Sequence, residues 1–336
     1  AKLVNMEFLK VWPVSRGINS SSGGGGAGWY LRMRNSQGEY LEEKYHPAYS
    51  VWERGGYCPN TNYMFAPTME KAEVLNDVIV SERKDARDEE ITAIYFTAAA
   101  ENPPRALKFH ALTGGVRNQR AVECYPNIAG LVAGGVRWNN DWGETDVENL
   151  FAVGDITQQG GFSGGLSMGW AVADFVTSKI KGGELPLPEW DSEIESKCKE
   201  IQQRVFAPLN RTPKRPVSPL ELEDYVRSVI NMHYIGIKKK KSRLERAIEL
   251  LERVKEEVVP ALVAKNPHEL MRCLEVQNII TVSLAHAKAS LERTESRVPP
   301  HHYREDFPEE DPNWHGYWVV VQLSNGKLEV KKEKVE

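Results

Sequence analysis

Residues 145–155 have the sequence TDVENLFAVGD, and residues 158–165, which follow closely, have the sequence QQGGFSGG. The first stretch closes with a short apolar run, residues 150–153, followed by Gly154 and Asp155, and this pattern predicts a strand. The second is glycine-rich and predicts a loop, and the apolar pattern of residues 166–180 predicts a helix after it. Because the first N–H groups of a helix have no acceptor within it, a strand, loop and helix start in this order binds phosphates or polar ring edges. The sequence therefore predicts a ligand site in an α/β fold.

The composition is that of an ordinary folded protein. The chain has 336 residues, 41% hydrophobic and 27% charged, and its formal net charge of -4 gives no argument for a nucleic-acid partner. Its four cysteines form no C-x-x-C pair, so we expect no metal or iron-sulfur site within it. No apolar stretch approaches the roughly 18 residues that span a bilayer, and the N-terminus has no signal pattern. We therefore expect a cytoplasmic protein with reduced thiols and no membrane span.

Local signals predict the elements around this unit. Residues 3–12 predict a strand that ends at Pro13, whereas residues 69–86 predict a helix. The run Lys238–Lys241 is interpreted as solvated charge, with a basic patch for an anionic substrate or partner as the alternative. Further predicted features are helices that begin at Pro219, Ser242 and His268, and a closing hairpin with its turn at Asn325 and Gly326.

Residues 145–155 resemble the second FAD-contact motif of flavoproteins of the two-dinucleotide-binding type, T-x-V-x-G-L-Y-A-x-G-[DE]. In that family the acidic residue, here Asp155, hydrogen-bonds the ribityl chain, and the glycine before it lets the backbone approach the cofactor. Residues 160–168 stand where these proteins meet the pyrimidine edge of the isoalloxazine ring with backbone N–H groups and a positive helix end. A glycine-rich turn of an unrelated α/β protein is the alternative. The resemblance implies FAD as the cofactor, bound by Gly154, Asp155, Ser163, Gly164, Gly165, Leu166 and Ser167.

A second set of motifs lies near the C-terminus. Residues 295–297 (ESR), 302–308 (HYREDFP) and 311–314 (DPNW) are similar to the series that closes the helical domain in flavoprotein subunits of fumarate reductase, succinate dehydrogenase and adenylylsulfate reductase. Within this superfamily, residues 268–272 (HELMR), residues 28–31 (GWYL) and the aromatic tail most resemble the alpha subunit of adenylylsulfate reductase. The chain is therefore similar to the C-terminal portion of such a subunit.

The substrate residues of the superfamily match only in part. The segments that carry two arginines and a histidine in fumarate reductases correspond here to residues 67–73, 162–166 and 130–135, and none keeps the residue in question. Ordinary fumarate reduction is therefore not expected, and the active-site histidine of adenylylsulfate reductase also has no equivalent in 130–135. The resemblance to adenylylsulfate reductase implies Arg16 as a catalytic anion clamp, with an ordinary surface arginine as the alternative. It also implies substrate-binding residues that hold an adenine, with a core role as the alternative: Trp29, Tyr30 and Leu31.

The implied fold is α/β followed by α: the C-terminal part of a two-dinucleotide-binding-type FAD domain with an inserted α+β capping domain, then a helical domain and a short β tail. The glycine run 23–28 satisfies G-x-G-x-x-G but is rejected as the dinucleotide fingerprint, because no buried strand precedes it and no helix pattern follows. FAD binding is therefore expected to need an N-terminal segment or another chain. The predicted domains are 1–12 (end of the FAD-domain sheet), 13–125 (capping domain), 126–184 (second part of the FAD-binding domain), 190–298 (helical domain) and 299–336 (tail with hairpin).

The leading functional hypothesis is the flavoprotein part of an FAD-dependent oxidoreductase. It passes two electrons between an anionic substrate, adenylylsulfate or another sulfur or organic acid, and a ferredoxin-like iron-sulfur subunit, since this chain has no cluster ligands. Two alternatives stay open. One is a fumarate- or succinate-type, or other organic-substrate, flavin dehydrogenase, and the other is a non-catalytic scaffold subunit of a redox complex.

Overall fold

The computed structural model describes residues 1–15, 32–34, 37–39, 79–82, 122–132, 134–157, 161–185, 190–230, 235–236, 238–297 and 301–335. The chain divides into two units. The first comprises Ala1–Leu9, Val132–Ser296 and Arg304–Glu336, and the second comprises Lys10–Leu131 and Arg297–Tyr303. Each unit contains a four-stranded sheet.

The described residues combine short strands with longer helices. The strands are β1 (Leu3–Val4), β2 (Leu9–Ser15), β3 (Arg32–Arg34), β4 (Ile79–Glu82), β5 (Val122–Val132), β6 (Gly135–Val136), β7 (Lys238–Lys239), β8 (Tyr303–Arg304), β9 (Tyr317–Ser324) and β10 (Lys327–Lys334). The helices are α1 (Gly161–Lys181), α2 (Ser192–Asn210), α3 (Pro219–Val229), α4 (Lys241–Arg253) and α5 (Pro267–Glu292).

The sheet of the first unit has the order β10-β9-β1-β6, and its neighbouring strands are antiparallel. Strand β1 lies between two partners, since Leu3 pairs with Val136 on one side and with Val321 on the other. The prediction of one strand over residues 3–12 is wrong. Asn5 has a φ of 57°, a left-handed conformation that asparagine tolerates, and it turns the chain between β1 and β2.

The predicted hairpin at the C-terminal end is confirmed. Strands β9 and β10 are joined by Asn325 (φ 49°) and Gly326 (φ 77°), the two left-handed residues that a type I′ turn requires. One face of the hairpin packs on α5. The buried cluster of this contact consists of Met6, Ala285, Ala289, Trp314, Val319 and Val321.

The sheet of the second unit has the order β2-β5-β4-β3. Pro13 lies inside β2, not at its end as predicted, and the sheet tolerates it because β2 is an edge strand. The predicted helix over residues 69–86 is wrong at Ile79–Glu82, which form β4 and pair with β5. Pairing with a segment far along the chain outweighs local propensity there. The other residues of 69–86 lie outside the described residues.

Helices α3, α4 and α5 pack around an apolar core in the first unit. A capping box between Ser218 and Glu221 begins α3, and the side chain of Asn266 accepts the N–H of Glu269 at the start of α5. Helix α4 begins at Lys241, one residue before the predicted start. The most deeply buried apolar side chains of this core include Leu222, Val226, Leu244, Leu251, Val276 and Ile280.

The end of α5 is held by Arg304, whose side chain is 1% exposed. Its guanidinium donates to the carbonyl oxygens of Ser290, Leu291 and Arg293 at 2.5, 3.2 and 2.9 Å. It also forms a two-point ion pair with Asp306, with both N···O distances at 2.8 Å, and this hydrogen bonding lowers the pKa of Asp306 to about 2. A cation at the carbonyl end of a helix is favourable, so the HYREDFP motif supplies a cap for α5.

We expect Arg304→Met to lower the free energy of unfolding by about 3 kcal/mol, because it leaves three carbonyl groups and the Asp306 carboxylate without their donor. Arg304→Lys should recover little of the loss, since an ammonium cannot make the two-point contact. Urea unfolding of the chain followed by circular dichroism measures both values. Arg253→Met is the matched control, because its pair with Glu257 is exposed and should contribute far less. Equal losses for Arg304→Met and Arg253→Met would contradict the capping role.

A buried ionic cluster joins the N-terminal residues to the end of α5. Arg293 Nε lies 2.6 Å from Glu7 Oε1, and one of its terminal nitrogens lies 2.8 Å from Glu295 Oε1. Lys239, which is 0% exposed, donates to the backbone carbonyl of Glu7 at 2.8 Å. The interpretation of Lys238–Lys241 as solvated charge is therefore wrong at Lys239.

Burial shifts the protonation of this cluster. It lowers the pKa of Lys239 to about 7, although the charge of Glu7 opposes the shift. It also raises the pKa of Glu7, against the attraction of Arg293. The pKa of His286 falls to about 3 through burial and the nearby Lys239 charge; its Nδ1 lies 2.6 Å from the Met6 carbonyl oxygen and therefore carries the proton of a neutral ring.

The shift at Lys239 predicts a dependence of stability on pH. Its folded pKa of about 7 lies below the unfolded value of 10.5, so between these values the unfolded chain binds more protons and stability rises with pH. We expect the difference in unfolding free energy between the unaltered chain and Lys239→Met to move by about 2 kcal/mol in favour of the unaltered chain from about pH 7.5 to about pH 9.5. The two proteins share their other titrating groups, so the difference between their unfolding free energies cancels those contributions. One such group is Cys273, because burial raises its pKa. A difference that stays constant with pH would rule out a depressed Lys239 pKa.

Candidate functional site

The candidate site is built on Gly154–Thr157, a single 3-10 turn that begins within the motif of residues 145–155. The strand predicted before it is wrong, since Phe151 makes only an isolated bridge to Glu144. Gly154 has a φ of 79°, which a side chain would strain, so the turn requires glycine at this position. Thr157 closes the turn, since its buried hydroxyl donates to the Gly154 carbonyl at 2.6 Å. Trp138 Nε1 donates to the Thr157 carbonyl at 3.2 Å. The turn is therefore held by one hydrogen bond within it, from Thr157, and by one from Trp138 outside it.

Helix α1 begins directly against this turn. It starts at Gly161, so the predicted loop is wrong from Gly161 to Gly165, which are helical. A Cβ atom placed on Gly165 would lie 3.4 Å from the Cα atom of Gly154, so the helix passes close to the turn. The free N–H groups of the first helical turn stand beside the 3-10 turn.

The sequence-predicted cofactor residues come together around this junction. Gly154 is buried and Asp155 is exposed in the turn, while Gly164 and Gly165 are half-buried in α1. Leu166, at 62% exposure, and Ser167 lie on the open side of the helix, and the backbone of Ser163 belongs to its first turn. The predicted substrate residues lie outside the described residues: Arg16, Trp29, Tyr30 and Leu31.

An aromatic groove beside α1 was not predicted. The rings of Trp142 and Phe175 stack with their centroids 5.1 Å apart, and Phe151 meets Phe175 edge-on at 6.3 Å. Lys179 lies over Phe175 and forms an ion pair with Glu144 at 3.2 Å. The groove has a volume of about 630 Å³ and is lined by Trp142, Ser167, Trp170, Ala171, Asp174, Phe175 and Ser178. The aromatic residues lie on two separate segments of the sequence, so their contact could not be predicted. The only sequence signal was the presence of Trp170 and Phe175 within the predicted helix 166–180.

The geometry suits a polar cofactor with a flat ring. The helix start offers N–H donors and a partial positive charge, and Asp155 offers a carboxylate acceptor for hydroxyl groups. The glycines leave room for close approach, and the exposed side chains of Ile156 and Leu166 offer apolar contact to a ring. Among the described residues, no group of three His, Cys, Asp or Glu side chains could hold a metal ion.

Comparison with known proteins finds a family match in the last third of the chain. Residues 228–336 match the model of the family described as fumarate reductase flavoprotein C-term. This segment is therefore similar to the C-terminal domain of that family. Over the whole chain, the fold is that of the C-terminal part of the flavoprotein subunits of this family, so the predicted resemblance and fold class are confirmed.

Three similar proteins illustrate the range of the family. One chain of the fumarate reductase (CoM/CoB) from Methanothermobacter marburgensis is 28% identical over 189 residues, 54% of this chain and 33% of that protein. An uncharacterized FAD-dependent oxidoreductase from Methanocaldococcus jannaschii is 27% identical over 184 residues, again 54% of this chain and 33% of the relative. The structure of adenylylsulfate reductase from Archaeoglobus fulgidus is 20% identical with a TM-score of 0.74, and the match covers 100% of this chain and 60% of that one.

The chain spans about a third of the length of the curated relatives that it matches. In the part of the chain that the structure describes, no helix has both the length and the apolar character to cross a membrane.

We expect Thr157→Val to destabilise the turn, because the buried Gly154 carbonyl loses its hydroxyl donor while the shape of the side chain is kept. The free energy of unfolding should fall by about 1–2 kcal/mol. Thr157→Ser keeps the donor and should lose less, so the pair separates the hydrogen bond from packing of the methyl group. Chemical denaturation of the three proteins gives the comparison, and a larger loss in Thr157→Ser than in Thr157→Val would contradict the assigned hydrogen bond.

Proposed function

We propose that this chain is the flavoprotein part of an FAD-dependent oxidoreductase of the fumarate reductase and adenylylsulfate reductase superfamily. The observation that carries the proposal is the turn Gly154–Thr157, which presents Asp155 beside the start of α1. The C-terminal family domain and the FAD-dependent relative support the same cofactor. When bound, FAD supplies two-electron transfer at the isoalloxazine ring.

The residues of the chain have distinct roles in this proposal. Asp155 accepts hydrogen bonds from the ribityl hydroxyls, which orients the chain of the cofactor. The N–H groups of Ser163, Gly164 and Gly165 and the positive end of α1 stabilise negative charge at the pyrimidine edge of the ring. Leu166 covers the ring edge and excludes water from it. Together these groups favour the negatively charged reduced cofactor over its uncharged form.

An exposed apolar surface on α1 supports a further part of the proposal, an N-terminal FAD-binding segment or chain. Trp170 is 76% exposed, and it lies one helical turn from exposed Leu166 and beside Trp142 in the same groove. A contiguous apolar patch of this kind marks a contact surface. We propose that the N-terminal FAD-binding segment covers this surface and completes the cofactor site.

The proposed substrate is an anionic small molecule of the adenylylsulfate type, and the proposed electron partner is a ferredoxin-like iron-sulfur subunit. The sequence similarity of residues 28–31 and 268–272 to adenylylsulfate reductase supports this choice. A fumarate- or succinate-type reaction is less favoured because residues 67–73, 130–135 and 162–166 lack the arginines and the histidine of those enzymes. The same substitutions favour, as a second candidate function, a scaffold subunit without catalysis. A cytoplasmic location is part of the proposal.

The test is native purification with all associated chains, followed by a visible spectrum before and after dithionite and by FAD release on denaturation. We expect flavin bands that bleach, and we expect Asp155→Ala to bind FAD about 10–100-fold more weakly, because hydrogen bonds to a charged acceptor contribute about 1.5–3 kcal/mol. Asp224→Ala is the matched control, since it removes an exposed carboxylate from α3.

Three outcomes are distinct. Flavin lost in Asp155→Ala and kept in Asp224→Ala supports the assignment of the cofactor turn. Flavin retained in both variants would show that Asp155 does not bind the cofactor. A colourless native complex without FAD rejects the oxidoreductase proposal and favours the scaffold subunit.

A further inference from the structure

Strand β6 touches the cofactor turn through a glycine that no other residue can replace without movement. A Cβ atom placed on Gly135 would lie 1.9 Å from the carbonyl oxygen of Ile156 and 2.8 Å from its carbonyl carbon. Both atoms belong to the backbone of the turn, so no side-chain rotation relieves the overlap. Ile156 directly follows Asp155, and any displacement of its carbonyl therefore moves the proposed FAD contact.

Strand β6 itself cannot easily give way. Gly135 pairs with Val4, Val136 pairs with Leu3, and the N–H of Arg137 donates to the carbonyl of Lys2 at 2.9 Å. The guanidinium of Arg137 also forms an ion pair with Glu333 on β10 at 2.9 Å. The strand is thus anchored to the rest of its sheet, and an added methyl group at Gly135 would displace the turn and not the strand.

The segment that begins with β6 contacts the turn at two places. Gly135 lies against the carbonyl of Ile156, and three residues later Trp138 Nε1 donates to the carbonyl of Thr157. Two successive carbonyl groups of the turn are therefore set by one short segment. Such a segment fixes the position and orientation of the turn without contacting the ligand itself.

We propose that Gly135 is a positioning residue for the flavin, because its lack of a side chain lets β6 lie against Ile156 and so sets the position of Asp155. The inference rests on the proposed function, since it assumes that the turn contacts FAD. It goes further by assigning a role to a residue outside the cofactor motif. It also predicts that the sheet β10-β9-β1-β6 influences the flavin through β6.

The neighbouring glycine provides a matched control. A Cβ atom on Gly134 would lie 2.7 Å from the backbone nitrogen and the Cα atom of Met6. This contact is with the N-terminal residues and not with the turn. Gly134→Ala should therefore destabilise the protein without moving the turn. Gly169→Ala is a second control, because a Cβ atom there meets nothing within 4 Å.

The experiment measures FAD affinity, the flavin midpoint potential and thermal stability in the natively purified complex. We expect Gly135→Ala to bind FAD at least tenfold more weakly and to shift the midpoint potential, whereas Gly134→Ala loses stability with the potential unchanged. Gly169→Ala should keep both the FAD affinity and the potential while its stability rises slightly, because alanine favours a helix interior over glycine. A purely structural role would lower stability in both Gly135→Ala and Gly134→Ala and leave the potential of each unchanged.

A variant with a smaller change covers the case in which Gly135→Ala does not fold. Trp138→Phe removes only the Nε1 donor to Thr157 and should weaken FAD binding about threefold and shift the potential in the same direction. Unaltered FAD affinity and potential in Trp138→Phe, or in a folded Gly135→Ala, would overturn the positioning role. If the unaltered complex itself contains no FAD, the proposed function fails, and this result is distinct from a flavin that is present but insensitive to both variants.

Discussion

The buried contact of Arg293 with Glu7 and Glu295 is the constraint on which the first unit depends. Three charged side chains with almost no exposure are tolerable only when each is paired, because removal of charge from water costs several kcal/mol per ion. Glu7 lies near the N-terminus, and the other two residues follow α5. The pairing of Glu7 with Arg293 therefore forces segments 286 residues apart to meet. The N-terminal strand can occupy only the place beside α5 that satisfies these charges.

The position of the cofactor turn follows from that arrangement through backbone contacts. Met6, next to Glu7, lies against Gly134. The next residue, Gly135 of β6, lies against the carbonyl of Ile156. A Cβ atom on Gly134 would overlap Met6, and one on Gly135 would overlap Ile156, so both contacts require glycine. Two adjacent glycines therefore lie between the buried charge cluster and the turn Gly154–Thr157.

Features with a local physical cause could be predicted from the sequence, and those caused by distant partners could not. Asn266 caps α5, and Asn325 with Gly326 forms the hairpin turn, because backbone requirements there involve only neighbouring residues. Lys239 was wrongly interpreted as solvated, since its acceptor is the carbonyl of Glu7, 232 residues away. Strand β4 was mistaken for helix for the same reason. In the candidate site, Gly154 and Asp155 were predicted from a motif, whereas Gly135 and the Trp142–Phe175 stack depend on tertiary contacts.

Cofactor binding and substrate choice place different demands on this chain. The turn Gly154–Thr157 depends on backbone geometry. Gly154 is left-handed, helix α1 begins beside it, and Gly135 has no side chain where β6 meets it. Substrate choice in the superfamily depends on individual cationic side chains, and those of fumarate reductases are replaced in residues 67–73, 130–135 and 162–166. Replacement of such side chains leaves the glycine contacts of the turn intact. Such substitutions can therefore change or remove substrate binding while the geometry proposed to receive the flavin is retained.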